Sequence, residues 1–269
     1  MTWKNGRQLA TLTNGDTSVS YCYNNGSIRT TKIVNGVKYT YAYLNGQLLY
    51  ETRGDAKFYY SYDANGILYN VRYTLTDGGT EYSYYYTHNS RGDIVGIYNG
   101  VGELKAHYEY DAWGNVISIT DDNENAITNP NHIGNLNPFR YRGYYQDTET
   151  GLYYLMSRYY DAVTHRFINA DGYFQAGTSI LDGNTFAYCA NNPIYSSDPT
   201  GSSIIFGALI GGATEFFGQI ISGKSIDEVD WGSVFVSAGT GAMLGAVDVL
   251  GVGAVAGVLI KGGISFLDL

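Results

Sequence analysis

The groups in this sequence that could do chemistry are few and widely spaced. Four histidines (His88, His107, His132 and His165) could serve as bases or metal ligands, but no two stand at ligand spacing, and His165 falls in an expected hairpin turn. Cys22 and Cys189 lie far apart, with no Cys-x-x-Cys or paired-histidine motif, so neither a disulfide framework nor a zinc site is expected and both read as packed thiols. No Gly-x-Ser-x-Gly elbow supports Ser/His/Asp catalysis and no phosphate-binding loop is present. No metal and no cofactor are therefore expected. Carboxylates remain. Asp63 and Asp111 each open a Tyr-Asp-x-x-Gly segment, where an aspartate side chain is suited to accept the backbone amides of a following turn. Asp198-Pro199-Thr200-Gly201 has the same local logic: Asp opens a turn, Pro presets φ and Gly closes it.

The elements that must position these groups are short strands. The chain of 269 residues holds 28 tyrosines and 35 glycines but only 4 prolines, and 15% of it is charged. Tyrosine favours half-buried strands and glycine favours turns, so an all-β reading leads. Asn-Gly occurs at Asn5, Asn14, Asn25, Asn35, Asn45, Asn65 and Asn99, and Gly-Asp at Gly54 and Gly92. Asn-Gly is the preferred pair for type I′ hairpin turns, because both central residues need positive φ. A turn every ten residues or so leaves strands of about six to eight residues between turns. Segments such as Tyr39-Thr40-Tyr41-Ala42-Tyr43 and Tyr108-Glu109-Tyr110 put rings on one face and small or polar residues on the other. A longer period overlies this one: Gly26, Gly46 and Gly66 are twenty apart, one hairpin per repeat. Met1 leads straight into a repeat without an apolar stretch, so no signal peptide is visible and the chain reads as a piece of something longer.

Near Gly201 the chain changes physical class. Every tyrosine and every proline precedes it, and the remainder is rich in Gly, Ala and aliphatic residues. The small residues at four-step spacing (Gly241 and Gly245, Gly253 and Gly257) suit closely packed helices. Segments 204–222 and 233–260 are apolar enough for membrane contact, but each carries an acid near its middle, Glu215 and Asp248, which lipid disfavours. A linker of packed helices fits equally well. The net charge of -9, without a basic run, argues against nucleic acid as a partner.

The Tyr-x-Tyr-Asp-x-x-Gly pattern resembles the YD repeats of Rhs and teneurin-type proteins. A denser set of motifs follows: Asn137-Pro138-Phe139-Arg140-Tyr141-Arg142-Gly143, Thr150-Gly151-Leu152-Tyr153-Tyr154, Arg158-Tyr159-Tyr160-Asp161, Arg166-Phe167-Ile168, Asp171, Asn192-Pro193 and Asp198-Pro199-Thr200-Gly201. In that order they resemble the Rhs repeat-associated core domain. The resemblance covers residues 1–201 and divides the chain into YD repeats (1–136), the core domain (137–201) and a variable C-terminal segment (202–269). It implies a mainly β fold, an antiparallel hairpin-repeat sheet curling into a partial shell, to which the composition adds the helical Gly/Ala-rich tail. It further implies a bacterial secreted or cell-surface polymorphic toxin whose shell encases and presents a C-terminal effector. The partners would be that effector, upstream repeats and an immunity protein.

By the same resemblance, Asp171 and Asp198 form an aspartic-protease-like pair that cuts the chain after Gly201, at Ser202 or Ser203, with Arg166 beside them. The sequence departs from the strict paired motif in reading Asp171-Gly172-Tyr173, without proline, and in a wide gap between the two aspartates. A purely structural turn at Asp198 stays open beside self-cleavage. Arg140, Arg142, Arg158 and Arg166 are expected to stack on tyrosines and bond carboxylates within the sheet. An acidic, tyrosine-rich lining would suit an unfolded guest, although so few hairpins make an open sheet and not a sealed container. A cell-wall carbohydrate-binding array is the alternative from another class, disfavoured by only three tryptophans, Trp3, Trp113 and Trp231.

Overall fold

A computed structural model of the protein describes residues 1–170, 184–194 and 196–201. The Gly/Ala-rich tail with its expected helices, both candidate membrane segments, Asp171 and Ser202 lie outside the described residues. The chain falls into two units: Met1–Ala187 with Thr200–Ser202, and Tyr188–Pro199 with Ser203–Leu269.

The first unit is built on an antiparallel meander: β1 (Thr2–Lys4), β2 (Gln8–Asn14), β3 (Thr17–Tyr23), β4 (Arg29–Val34), β5 (Val37–Leu44), β6 (Gln47–Arg53), β7 (Ala56–Tyr62), β8 (Leu68–Thr74), β9 (Tyr82–His88), β10 (Ile94–Asn99), β11 (Leu104–Tyr110) and β12 (Val116–Thr120). These twelve strands pair in chain order and do not close into a barrel. Helix α1 (Ile133–Leu136) follows, then a four-stranded sheet of β13 (Tyr145–Asp147), β14 (Leu152–Leu155), β15 (Arg158–Asp161) and β16 (Arg166–Phe167).

The first tyrosine of each Tyr-x-Tyr repeat (Tyr21, Tyr41, Tyr60 and Tyr108) is buried. In three of the four the hydroxyl of the second donates to a main-chain carbonyl on the preceding strand: Tyr23 to Leu9 (2.9 Å), Tyr62 to Leu48 (3.0 Å) and Tyr110 to Ile94 (2.7 Å). In these three the ring adds apolar burial while its polar tip finds a partner; the Tyr21 hydroxyl, by contrast, is buried without one. The face these rings occupy does not line an empty interior. Residues 133–168 of the same chain fill it: Ile133, Phe139 and Tyr145 pack with the inner residues of β5–β11, and Leu152, Tyr154 and Tyr159 with those of β2 and β3.

The turns depart from the expectation of type I′ pairs throughout. Both residues are left-handed at Asn5-Gly6, Asn35-Gly36 and Asn45-Gly46. At Asn14 the strand runs on and Gly15-Asp16 makes the turn, with only the glycine at positive φ. Asn25, Asn65 and Asn99 instead belong to a five-residue turn opened by Asn24, Asp63, Asn89, Asn99, Asp111 or Asp121. In five of these the opening side-chain oxygen accepts the amides two and four residues on, as in Asp63 with Asn65 (2.9 Å) and Ile67 (2.8 Å), and Asp111 with Trp113 (2.8 Å) and Asn115 (2.9 Å). The side chain does the work of a backbone acceptor, and the fourth residue turns left-handed. Glycine fills that place at Gly66, Gly92, Gly102 and Gly114, while Ser27 and Glu124 adopt it at a steric cost.

Two groups of polar contacts fix residues 133–168 against the large sheet. At one, three tyrosines cap the successive carbonyls of the Asp111 turn: Tyr141 on Ala112 (2.9 Å), Tyr160 on Trp113 (2.7 Å) and Tyr153 on Gly114 (2.8 Å). At the other, wholly buried Glu51 takes Arg53 through both oxygens (2.9 and 3.1 Å) and the hydroxyls of Tyr60 (3.0 Å) and Tyr145 (2.6 Å). Burial, reinforced by the Glu51 charge, raises both tyrosines well above their ordinary range and keeps them protonated as donors.

Two pairs of substitutions test this arrangement. A Cβ on Gly114 (φ 93°) would come 2.5 Å from Tyr141 Cδ1. Gly114→Ala should therefore cost about 2–3 kcal/mol in chemical denaturation, whereas Glu124→Gly, relieving the same conformation at an exposed turn, should gain up to about 1 kcal/mol. Glu51→Gln leaves the Arg53 guanidinium without its counter-charge and should cost about 3 kcal/mol; Asp77→Asn, at the exposed Lys57–Asp77 pair, should leave the unfolding midpoint unchanged.

Candidate functional site

The β14–β15 hairpin is buried along nearly its whole length. Leu155 pairs with Arg158 across a two-residue loop, Met156-Ser157, with Met156 left-handed (φ 56°). That loop points main-chain and side-chain donors at Thr200 and Gly201. The Ser157 amide (3.2 Å) and hydroxyl (2.8 Å) both donate to the Thr200 carbonyl, and Arg158 Nε donates to the Gly201 carbonyl. Arg158 is 4% exposed, so its guanidinium must find partners inside the protein. A second nitrogen reaches the Thr185 carbonyl (3.1 Å), and the group lies 3.5 Å from the centre of the Phe167 ring. Gly201 is left-handed (φ 69°), and a Cβ there would sit 2.5 Å from the Leu155 carbonyl and 2.9 Å from Ser157 Oγ. Only glycine fits this corner.

The sequence-selected residues are placed as follows. Gly201 is held at the corner just described. Arg166 is exposed on β16, opposite Asp161 and bridged to Ala187. Asp198, in the second unit, is wholly buried; the neighbouring Cys189–Asn191 forms a 3-10 turn closed by Asn191 to Tyr188 (2.9 Å) and Asn192 to Cys189 (2.8 Å). Asp171 and Ser202 fall outside the described residues. Arg158 was expected to stack on tyrosine; the ring it meets is Phe167, and it donates to main-chain carbonyls because the hairpin faces a returning main chain. The available signal was an arginine in a run, Tyr153 to Tyr160, that is apolar and aromatic apart from Ser157, and so has to bring acceptors to itself. Arg140 and Arg142 do lie over tyrosine rings, Tyr108 and Tyr141, each 5.6 Å from the centre.

Cys189 is buried but Cys22 is exposed, correcting the expectation of two packed thiols: Cys22 alternates with inward Tyr21 and Tyr23 and so faces outward. Among the described residues no cluster of His, Cys, Asp and Glu could hold a metal, and no helix is long and apolar enough to cross a membrane.

A further polar cluster escaped sequence reading. Arg29 is wholly buried with its guanidinium carbon 4.2 to 5.9 Å from the ring centres of Tyr154, Tyr41, Tyr145, Tyr21 and Tyr159. It bonds Asp147 (2.6 Å), which also accepts from Lys32 Nζ (2.9 Å); Lys32 is in turn 2.6 Å from Glu149. Burial alone would raise the Asp147 carboxyl, but Arg29 and Lys32 outweigh it and hold it below the usual range. Burial, with Asp147 nearby, raises Glu149. Strict alternation would put Arg29 and Lys32 on opposite faces. A bulge at Thr30, opposite the step from Cys22 to Tyr23, brings both inward.

No family model matches the chain. Among curated proteins it is similar to the tRNA3(Ser)-specific nuclease WapA of Bacillus spizizenii, 37% identical over 186 residues, and to the tRNA nuclease WapA of Bacillus subtilis strain 168, 36% identical over 191 residues. Each match covers 68% of this chain, and the chain spans only 7% of the length of either nuclease. Among solved structures it is similar to TcdB2-TccC3-TEV (TM-score 0.56, 20% identical, 74% of this chain and 10% of that one) and to TcdB2-TccC3-Cdc42 (TM-score 0.54, 22% identical, 71% and 9%). That likeness establishes the fold: among the described residues, a mainly antiparallel open sheet with few helices.

The corner makes its own prediction. Gly201→Ala should unseat Thr200 and Gly201 from the hairpin and speed proteolytic nicking between residues 184 and 201. Gly151→Ala, where an added Cβ meets nothing within 4 Å, should nick that region at the wild-type rate.

Proposed function

We propose that this chain is a wall-and-closure piece of an Rhs/YD-repeat protein of the polymorphic-toxin type, whose work is to encase and present a downstream polypeptide. Residues 1–136 supply the repeat wall, 137–201 the core that closes it, and 202–269 a variable segment that is either linker or part of what is presented. The reading rests above all on the grip of the β14–β15 loop on the Thr200 and Gly201 carbonyls, which anchors the chain at the point where its composition changes class. The WapA relatives, named as tRNA nucleases, support an effector as the cargo. On this reading the parent protein acts at the bacterial surface or outside the cell, and an immunity protein guards the producer. Segments 204–222 and 233–260 then assist at a membrane.

The finer step is hydrolysis of the Gly201–Ser202 bond by Asp171 and Asp198. One carboxylate takes a proton from the water that attacks the Gly201 carbonyl carbon, and the other donates a proton to the Ser202 nitrogen as the C–N bond breaks. The contact from Arg158 to the Gly201 oxygen supports this step, since a fixed donor there stabilises the developing oxyanion.

Expression of the 269-residue chain tests the step directly. Wild type should yield a fragment ending at Gly201, and Asp198→Asn should remain whole. A whole, folded wild-type chain would remove the protease step and leave the presenting wall.

A further inference from the structure

Lys32 on β4 meets two carboxylates in a nearly sealed, aromatic-walled site. Its side chain is 2% exposed, that of Asp147 0% and that of Glu149 14%. Lys32 Nζ lies 2.9 Å from Asp147 Oδ1 and 2.6 Å from Glu149 Oε1. The second contact is short but poorly directed for a hydrogen bond. The Tyr39 and Tyr145 rings flank the ammonium, with centres at 4.7 and 5.7 Å. On the far side of Asp147, Arg29 Nη1 holds Oδ2 at 2.6 Å. Burial strips both groups of water, and the Lys32 nitrogen is held against Asp147 Oδ1, one bond from the carboxyl carbon it would attack.

The geometry points to an intramolecular isopeptide bond between Lys32 and Asp147, with Glu149 as the proton shuttle. Lys32 first passes a proton to Asp147, leaving a neutral amine and a neutral carboxylic acid. The nitrogen lone pair then attacks Asp147 Cγ, one bond beyond Oδ1, and forms the new C–N bond. Negative charge collects on Oδ2, where the Arg29 guanidinium already donates. Glu149 takes a proton from the nitrogen and delivers it to Oδ1, and the Cγ–Oδ1 bond breaks with loss of water. The sum is one ammonium and one carboxylate giving one amide and one water, with Glu149 restored and no redox partner needed. Arg29 and Glu149 remain as compensating charges, so the site stays electrically balanced. The product joins β4 to β13 across 115 residues, a cross-link that restricts the unfolded chain far more than the ion pair does.

Peptide mass spectrometry of the folded 269-residue chain decides the matter, because the same lysine that forms the bond is then closed to trypsin. Wild type should give Thr30–Lys38, uncut after Lys32, joined to Gly143–Arg158, and lighter than the two together by one water. Glu149→Gln, checked for an unchanged β circular-dichroism spectrum, should give the two peptides unjoined, with cleavage after Lys32. Folded wild type that yields free Thr30–Lys32 and free Gly143–Arg158 would show a plain buried salt bridge and overturn the proposal. Joined peptides at wild-type yield from Glu149→Gln would overturn the role given to Glu149. Cleavage at Gly201 changes neither peptide, so this outcome is independent of the protease step.

Discussion

Arg29 lies wholly buried among five tyrosine rings, and much of the fold follows from how its charge is answered. A guanidinium cannot leave water without acceptors, so the wall strand that carries it has to meet a carboxylate from elsewhere in the chain. Asp147 supplies it, drawing in Lys32 and, through Lys32, Glu149. The same demand recurs at Glu51, which joins Arg53 from its own strand to Tyr145 from the closing segment. Contacts of this kind add little net stability over a well-packed apolar core. Their value is register, because a shift of the closing segment by one residue strands a charge.

Tyrosine makes such a design workable over a large area. Its ring packs against neighbours edge-on or stacked, as Phe58 does with Tyr73 (5.2 Å) and Tyr60 with Phe139 (4.9 Å). Its hydroxyl then reaches a carbonyl that another side chain would leave bare. The sheet therefore binds its closing segment through polar tips at fixed positions as well as through apolar area, and the Asp111 turn is gripped by three such tips in succession.

The closing segment in turn holds the chain at Thr200 and Gly201. Burial on both faces of β14 and β15 makes the hairpin a rigid base, and its loop presents an amide, a hydroxyl and a guanidinium in one direction. The Thr200 and Gly201 carbonyls are thereby fixed in orientation at the end of the described chain.

Much of this was legible in the residues themselves. Alternating Tyr-x-Tyr segments between glycine turns determined an antiparallel meander, because a period of two with turns about every ten residues has few other solutions. Asp63 and Asp111 were legible as turn acceptors, since that bond is local to five residues. The turn type at Asn25, Asn65 and Asn99 was not. An Asn-Gly pair reads the same inside a two-residue hairpin and inside a longer turn, and the choice rests on which residue pairs across the strands. Nor could the sequence place Arg29 beside Lys32, because one bulge reverses the parity of a strand, or bring Arg158 to Gly201. Local periodicity fixes what each strand buries; contacts between residues more than a hundred positions apart, like Lys32 with Asp147, depend on how the closing segment settles on the sheet, and only the folded chain decides that.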